Sequence, residues 1–269
     1  MTEQNMLESG AHNLNNHEVF ILGAKAHAIT MEKTIKYIIE SISEGKFIQH
    51  SVINVAKVVA MKNDASLRES VNSCDLINID GAGIVLAGRL LGMAIPERVA
   101  GIDLFYNLLR EASVENIPVF LLGARQNVVD EVKRRATMEF SGIEIVGHHH
   151  GYFETNEEGV VELIASSGAK MLFVAMTSPL KENFINKWKS RLGVSFAMGV
   201  GGSFDVYAGL TRRAPPWMQK AGLEWLFRTM QEPRRMWRRY LFSNLKFAKL
   251  LLSAILDRVA AKFIRSRRA

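Results

Sequence analysis

Short apolar runs recur along the chain at Val19–Leu22, Gln49–Asn54, Leu76–Ile79, Pro118–Leu122, Ile143–Val146, Met171–Met176 and Val194–Met198. Between most of them, apolar residues fall every three or four positions: Met31–Ser43, Ile84–Leu91, Ile102–Ala112, Val128–Phe140, Glu157–Ser166 and Leu180–Arg191. The first pattern is that of strands and the second that of helices. Their alternation predicts an α/β fold, a mostly parallel sheet with helices on both faces. PVFLL and MLFVAM are apolar at every position, as in strands covered on both sides. No internal repeat or low-complexity segment breaks the series.

In such a sheet, ligands bind beyond the carboxyl ends of the strands. Those ends carry Ser51–Asn54, DGAG at Asp80–Gly83, GARQN at Gly123–Asn127, HHHGYF at His148–Phe153, MTSPLKE at Met176–Glu182 and GVGGSFD at Gly199–Asp205. Asp80 is either the N-cap of the next helix or a general base in the cleft. Arg98, in RVAGID at Arg98–Asp103, is either a surface ion-pair residue or a contact to a phosphate or sugar. Gly123 opens a strand–turn–helix that can face a phosphate, although GARQN is not a dinucleotide fingerprint. Ser178 is expected to cap a helix with Pro179 in its first turn, which places Lys181 and Glu182 near the cleft. Gly201 and Gly202 permit close backbone approach to a ligand. The histidines at 148–150 alternate faces in a strand and do not converge on one ion, and no carboxylate pair sits at a strand end. No metal and no cofactor are expected.

Composition alters this picture at the two ends. The chain has 269 residues, 48% of them hydrophobic, enough for one large domain with an appendage. Residues 1–17 are polar and expected to be disordered, residues 18–209 form the α/β core, and residues 210–269 form the appendage. Cys74 is the single cysteine, so no internal disulfide is possible and a buried packing role is expected. No secretory leader and no uncharged apolar run long enough to span a bilayer is visible. The net charge of +7 is unevenly spread: residues 210–269 hold 15 Lys and Arg against three acids, and residues 1–209 hold 19 against 24. The tail is therefore +12 and the rest −5, a split that suits an anionic membrane surface or another polyanion. From Trp237 onward, aliphatic and aromatic residues mix with bases, and Lys246, Lys249, Ser253 and Asp257 form a polar stripe on a helix. That is the pattern of an interfacial helix; a helix packed on the core is the alternative.

DGAG, RVAGID, FLLGA, TSPLKE and the block GVGGSFDVYAG…RRAP.WMQ…GLEW..R..QEPRR..RY together resemble the bacterial WecG/TagA/CpsF glycosyltransferases, over roughly Val19–Tyr240. The resemblance implies a Rossmann-like domain with a C-terminal appendage. It also implies inverting, metal-independent transfer from a UDP-sugar to a polyprenyl-pyrophosphate-linked acceptor, at the cytoplasmic face of the bacterial inner membrane. Asp80 falls on the family's base. The family's threonine falls near Ser51 or Val52, followed by the matching Asn54. Lys181 stands where the family has glutamine, which leaves the donor open between a hexose and an N-acetylhexosamine. The resemblance assigns substrate contacts to Ser51, Asn54, Gly81, Gly83, Arg98, Asp103, Gly123, Ser178, Lys181, Glu182, Gly201, Gly202 and Asp205. Without a metal, the departing diphosphate needs cations, and Arg212, Arg213, Arg228, Arg234, Arg235 and Arg238 are the candidates. The tail would dock on the membrane and complete the site, and a homo-oligomer is possible.

Two other classes compete. A basic tail with aromatics suits RNA, but no nucleic-acid motif is present and the core is acidic, so no nucleic-acid partner is expected. A NAD-dependent enzyme would carry GxGxxG and an acid about 20 residues on, and neither is clear.

Overall fold

A computed structural model describes residues 14–153 and 155–266. Of the stretch expected to be disordered, Leu14–His17 forms one turn of 3-10 helix, and residues 1–13 lie outside the described residues. A hairpin follows, β1 (Glu18–Ile21) with β2 (Ala24–His27). The central sheet contains β3 (Ile48–Ile53), β4 (Leu76–Ile79), β5 (Val119–Gly123), β6 (Ile145–His149), β7 (Met171–Ala175) and β8 (Phe196–Gly199). Their order is β4-β3-β8-β7-β5-β6, and every pairing is parallel.

The helices are α1 (Met31–Ser43), α2 (Val55–Asn63), α3 (Ala65–Asn72), α4 (Ala82–Leu90), α5 (Gly101–Val114), α6 (Gln126–Glu139), α7 (Glu157–Ser166), α8 (Leu180–Trp188) and α9 (Ser203–Tyr207). The appendage adds α10 (Pro216–Lys220), α11 (Glu224–Gln231) and the long α12 (Pro233–Ser266). The expected mostly parallel sheet is present. The hairpin partner β2 and helices α2 and α3 were not legible, because AKAH is a short run, VAKVVAMKN is apolar on most sides and shows little period, and ASLRESVN is short and mostly polar, with a serine at one buried position. Strand β6 begins two residues later than expected and takes in His148 and His149.

Alternation along each strand sorts the core into two faces. Val119 and Leu121 of β5 pack with α5, α6 and α9 through Phe105, Leu108, Val132 and Phe204. Phe120 and Leu122 pack on the opposite face with α7 and α8 through Ile164 and Phe184. The β3–β4 end of that same face is covered by β1, α2, α4 and α12, around Ile53, Ile77, Ile84 and Phe247.

Helix α12 corrects the expectation for the tail. Its inward side is part of the core, with Phe247 only 6% exposed and Leu250 and Leu251 packed beside it. A second sector, Leu241, Leu245, Leu252, Leu256 and Val259, points away from the protein, and all five are exposed. Lys246, Lys249, Ser253 and Asp257 lie about 100° further round at the helical pitch. The helix is therefore three-sided: core, exposed apolar and polar. Among the described residues, no helix is long and apolar enough to cross a membrane.

Candidate active site

The ends of β4, β3 and β8 lie side by side, and the candidate site is built on them. Asp80 follows β4, and its N–H donates to Ile53 O at 2.8 Å. It is not a helix cap: α4 starts from Gly81, with no side-chain capping bond. Gly81 has φ +112°, a region closed to most side chains, and this torsion turns the chain away while Asp80 stays at the sheet edge. By strand parity Asp80 lies on the α5 side. Its Oδ2 accepts the Gly101 N–H at 3.3 Å, at the positive end of helix α5. Burial pushes the carboxyl up to about 6; the Gly101 N–H and the Arg98 guanidinium pull the other way but do not win. A carboxylate poised at that level is a competent base near neutral pH.

Residues from the appendage close around it. The Val99 N–H donates to Ile79 O, which lays Arg98–Gly101 against the end of β4. Arg98 donates to Glu224 Oε2, and Arg213 forks onto Asp103 at 2.6 and 2.7 Å. The Arg213 Nε lies 4.0 Å from Glu224 Oε1. The backbone at Gly222 lies so close to α4 that an added Cβ would stand 2.4 Å from the Ala82 Cβ. Three appendage residues thus sit on the two segments that flank Asp80. An open groove of about 680 Å³ adjoins this cluster and shares Asp103 and Arg213 with it.

The proposed arginines fall into different groups. Arg98 and Arg213 are committed to carboxylates. Arg228 instead reaches the glycine turn after β8: its Nη2 lies 3.0 Å from where a Gly202 Cβ would be, and Asp205 Oδ2 lies 4.0 Å from the same point. Arg212 is exposed, its backbone bonded to the Gln231 side chain at 3.1 and 3.0 Å. Arg234 and Arg238 are exposed on α12, with Arg238 over the Trp237 ring. The Arg235 side chain lies outside the described residues.

Ser51 and Lys181 occupy other places than expected. Ser51 shares the parity of Ile53 and turns to the α2 side, away from Asp80, where its hydroxyl accepts from Lys57 Nζ at 3.1 Å. Val52 faces Gly101 beside Asp80 instead, at 3.6 Å from the Cβ position there. Lys57 and Lys181 both lie 2.7 Å from Glu182 Oε1, and all three side chains are buried. Burial opposes the charge on Glu182, but the two ammonium groups outweigh it and hold the carboxyl down at about 2. The Lys181 stem runs beneath Gly199, 2.9 Å from its Cβ position.

Other expected contacts have local roles. Asn54 caps α2, its Oδ1 accepting the Lys57 N–H at 3.0 Å, and lies next to Gly81. At Gly83 an added Cβ would stand 2.7 Å from Val55 Cγ2, and at Gly123 2.6 Å from the Ala175 backbone. Both glycines are required by packing. Ser178 is exposed and does not cap α8, which starts from Pro179 without a side-chain bond. Gly201 shapes the turn after β8. His148 bonds Asp130, and the described residues contain no gathering of three His, Cys, Asp or Glu side chains. Cys74 is buried and its thiol is pushed up to about 12 by that burial.

Two participants escaped sequence reasoning. Glu224 lies within GLEW, but its acidic charge in a basic segment was the only hint of a partner such as Arg98. Lys57 sits in the first turn of α2 at an unremarkable position, and only folding brings it to Glu182.

Comparison with known proteins places these residues in context. The family described as Glycosyl transferase WecG/TagA/CpsF matches residues 19–261. Two similar proteins are both described as N-acetylglucosaminyldiphosphoundecaprenol N-acetyl-beta-D-mannosaminyltransferase. The one from Bacillus spizizenii is 40% identical over 171 residues, 64% of this chain and 66% of that protein. The one from Bacillus subtilis is 34% identical over 191 residues, 71% of this chain and 74% of that protein. With Asp80, RVAGID and the GLEW segment meeting at one edge of a parallel sheet, the chain belongs to the WecG/TagA/CpsF family of glycosyl transferases.

Proposed function

We propose that this protein transfers an N-acetylmannosaminyl residue from its UDP-linked form to N-acetylglucosaminyl-diphosphoundecaprenol, with Asp80 as general base. The observation that carries this reading is the setting of Asp80: at the end of β4, on the helix α5 N-terminus, enclosed by Arg98, Arg213 and Glu224, with its carboxyl near 6. An acceptor hydroxyl hydrogen-bonded to Asp80 loses its proton as its oxygen attacks the anomeric carbon. The bond to the UDP oxygen breaks on the opposite side, so an α-linked donor gives a β-linked product.

Arg228, over the glycine turn at Gly201–Gly202, is the appendage residue best placed to meet the charge that develops on the diphosphate. Asp205 borders the same space, and Asn54 lies beside Gly81. Lys181 is engaged with Glu182, so its presence in place of a glutamine leaves an N-acetylmannosamine donor compatible with the site. The names of the two relatives support that donor and acceptor. The exposed apolar sector of α12, beside Lys246 and Lys249, supports peripheral docking on an anionic bilayer, with no membrane-spanning helix among the described residues.

The test is transfer of radiolabelled sugar from UDP-N-acetylmannosamine to the lipid-linked acceptor by wild type and Asp80→Asn. Turnover should fall by about 10²–10⁴ in the variant with donor affinity nearly unchanged. Near-normal turnover in Asp80→Asn removes the assigned base, and transfer from another UDP-sugar alone removes the assigned donor.

A further inference from the structure

Helix α4 begins at the site and carries an apolar stripe away from it. Ala82, Leu86 and Leu90 recur every four residues and so lie on one side of the helix. Leu86 is 58% exposed and Leu90 55%. The other side, Ile84 and Ala87, is in the core. The stripe starts beneath the appendage, where Gly222 rests on Ala82, and runs about 12 Å to Leu90.

Helix α12 crosses the far end of the stripe. Arg258 of α12 packs on Gly92, two residues beyond α4, with its guanidinium 2.6 Å from the Cβ position. Arg258 lies on the core side of α12, the side of Phe247, and round the helix from it the outward sector presents Leu252, Leu256 and Val259, exposed by 59%, 60% and 61%. Helices α4 and α12 share the cluster around Phe247 and Val85, so they are neighbours on one face. The apolar path thus leads from the residue after Gly81 along α4 to the crossing with α12, where the Arg258 side chain makes the contact. Exposed leucines stacked one turn apart beside a site mark a contact.

We infer that this path seats the prenyl chain of the lipid-linked acceptor, an inference that rests on the acceptor proposed above. The reacting head of that substrate must reach Asp80 while its chain remains in hydrocarbon. A stripe that begins at the site and ends at a lipid-facing helix lets the first isoprene units leave the site without meeting water. Leu86 and Leu90 hold the chain, and α12 delivers it to the bilayer. The occupant is the isoprenoid chain; the bilayer surface itself and a second copy of the protein are the alternatives that the test separates.

The buried Cys74 makes a direct test possible, since a thiol introduced on the stripe reacts without competition. The full-length variants Leu86→Cys and Leu90→Cys are alkylated with a maleimide in detergent micelles. The additions are N-acetylglucosaminyl-diphosphoundecaprenol, the same head on a geranyl chain, or nothing. The undecaprenyl compound should slow labelling about tenfold, and the geranyl compound or empty micelles less than about twofold. Equal protection by empty micelles shows a general lipid contact and overturns the inference. Protection that rises with protein concentration alone shows self-association and overturns it too, as does no protection at all. Sugar transfer by the same variants is measured separately. Protection without transfer leaves the track standing and sinks the proposed reaction, whereas transfer without protection does the reverse.

Discussion

Arg213 grips Asp103 through two parallel hydrogen bonds, Nη1 to Oδ1 at 2.6 Å and Nη2 to Oδ2 at 2.7 Å, across 110 residues of chain. The pair fastens the appendage to the first turn of α5, whose leading N–H holds Asp80. Lysine keeps the charge but cannot form the fork. Arg213→Lys should therefore loosen the closed site rather than remove a charge from it. The expected loss in kcat/KM is about 10- to 100-fold, with secondary structure unchanged by circular dichroism. Wild-type kinetics in this variant would show that the clamp is dispensable.

The Asp80 carboxyl titrates near 6, above its ordinary range, because burial disfavours the charge. As a base it must be ionised, so kcat/KM should fall with decreasing pH below about 6 and level off above it. The same shift acts on stability with a defined sign. The folded state holds this proton more tightly than the unfolded chain does, so stability declines as pH rises through the folded pKa. Asp80→Asn should raise Tm by a few degrees at about pH 7, with the gain vanishing near about pH 4. A variant less stable than wild type at neutral pH would contradict the buried charge.

Arg228 is expected to act on the donor. Arg228→Ala should raise the donor KM and lower kcat, for a combined loss of about 10²-fold, and weaken protection by UDP in thermal unfolding. Arg234→Ala, on exposed α12, should change kcat/KM by less than about threefold. The opposite ranking would move the diphosphate from the glycine turn to the long helix.

Two histidines sit neutral in the core. His50, bonded to Asn78 at 2.8 Å, and His27, accepting from the Ile77 N–H at 3.0 Å, are both held down at about 4, mainly by burial. Groups with depressed folded values contribute stability that is present above their ordinary pKa and lost as pH falls from about 6.5 to about 4. Acid unfolding should therefore begin in that window, and His50→Gln should narrow the loss. An unchanged acid profile in that variant would clear His50 of responsibility.

The three sides of α12 separate by substitution. Phe247→Ala empties a core position and should cost about 3–5 kcal/mol. Leu245→Ser with Leu252→Ser leaves the core untouched; sedimentation with anionic vesicles should drop several-fold while Tm shifts by no more than about 2 °C. Ending the chain after Tyr240 cannot separate these roles, because it removes Phe247 from the core. Undiminished vesicle binding by the double variant would place the membrane contact elsewhere.

Local order in the chain was enough to determine the central sheet, most of the helices and the strand ends to search for a site, while it left Asp80 open between a helix cap and a base until the family resemblance chose the base. Apolar periodicity and glycine turns are properties of neighbours in sequence, and they survive without a fold. The charge imbalance of residues 210–269 was also plain, because net charge is a sum. Which charges meet is a matter of tertiary structure alone. Strand parity turned Ser51 to Lys57 and Val52 towards Asp80; a shift of one residue reverses such a facing, and composition does not reveal it. Packing set Arg98 on Glu224 and Arg213 on Asp103, leaving Arg228 at the glycine turn, although all three arginines look alike in sequence. The tail helix read as amphipathic, yet only its docking through Phe247 decided which apolar side is core and which faces outward. Both sides carry leucines at the same spacing, and only the shape of the surface they meet tells them apart.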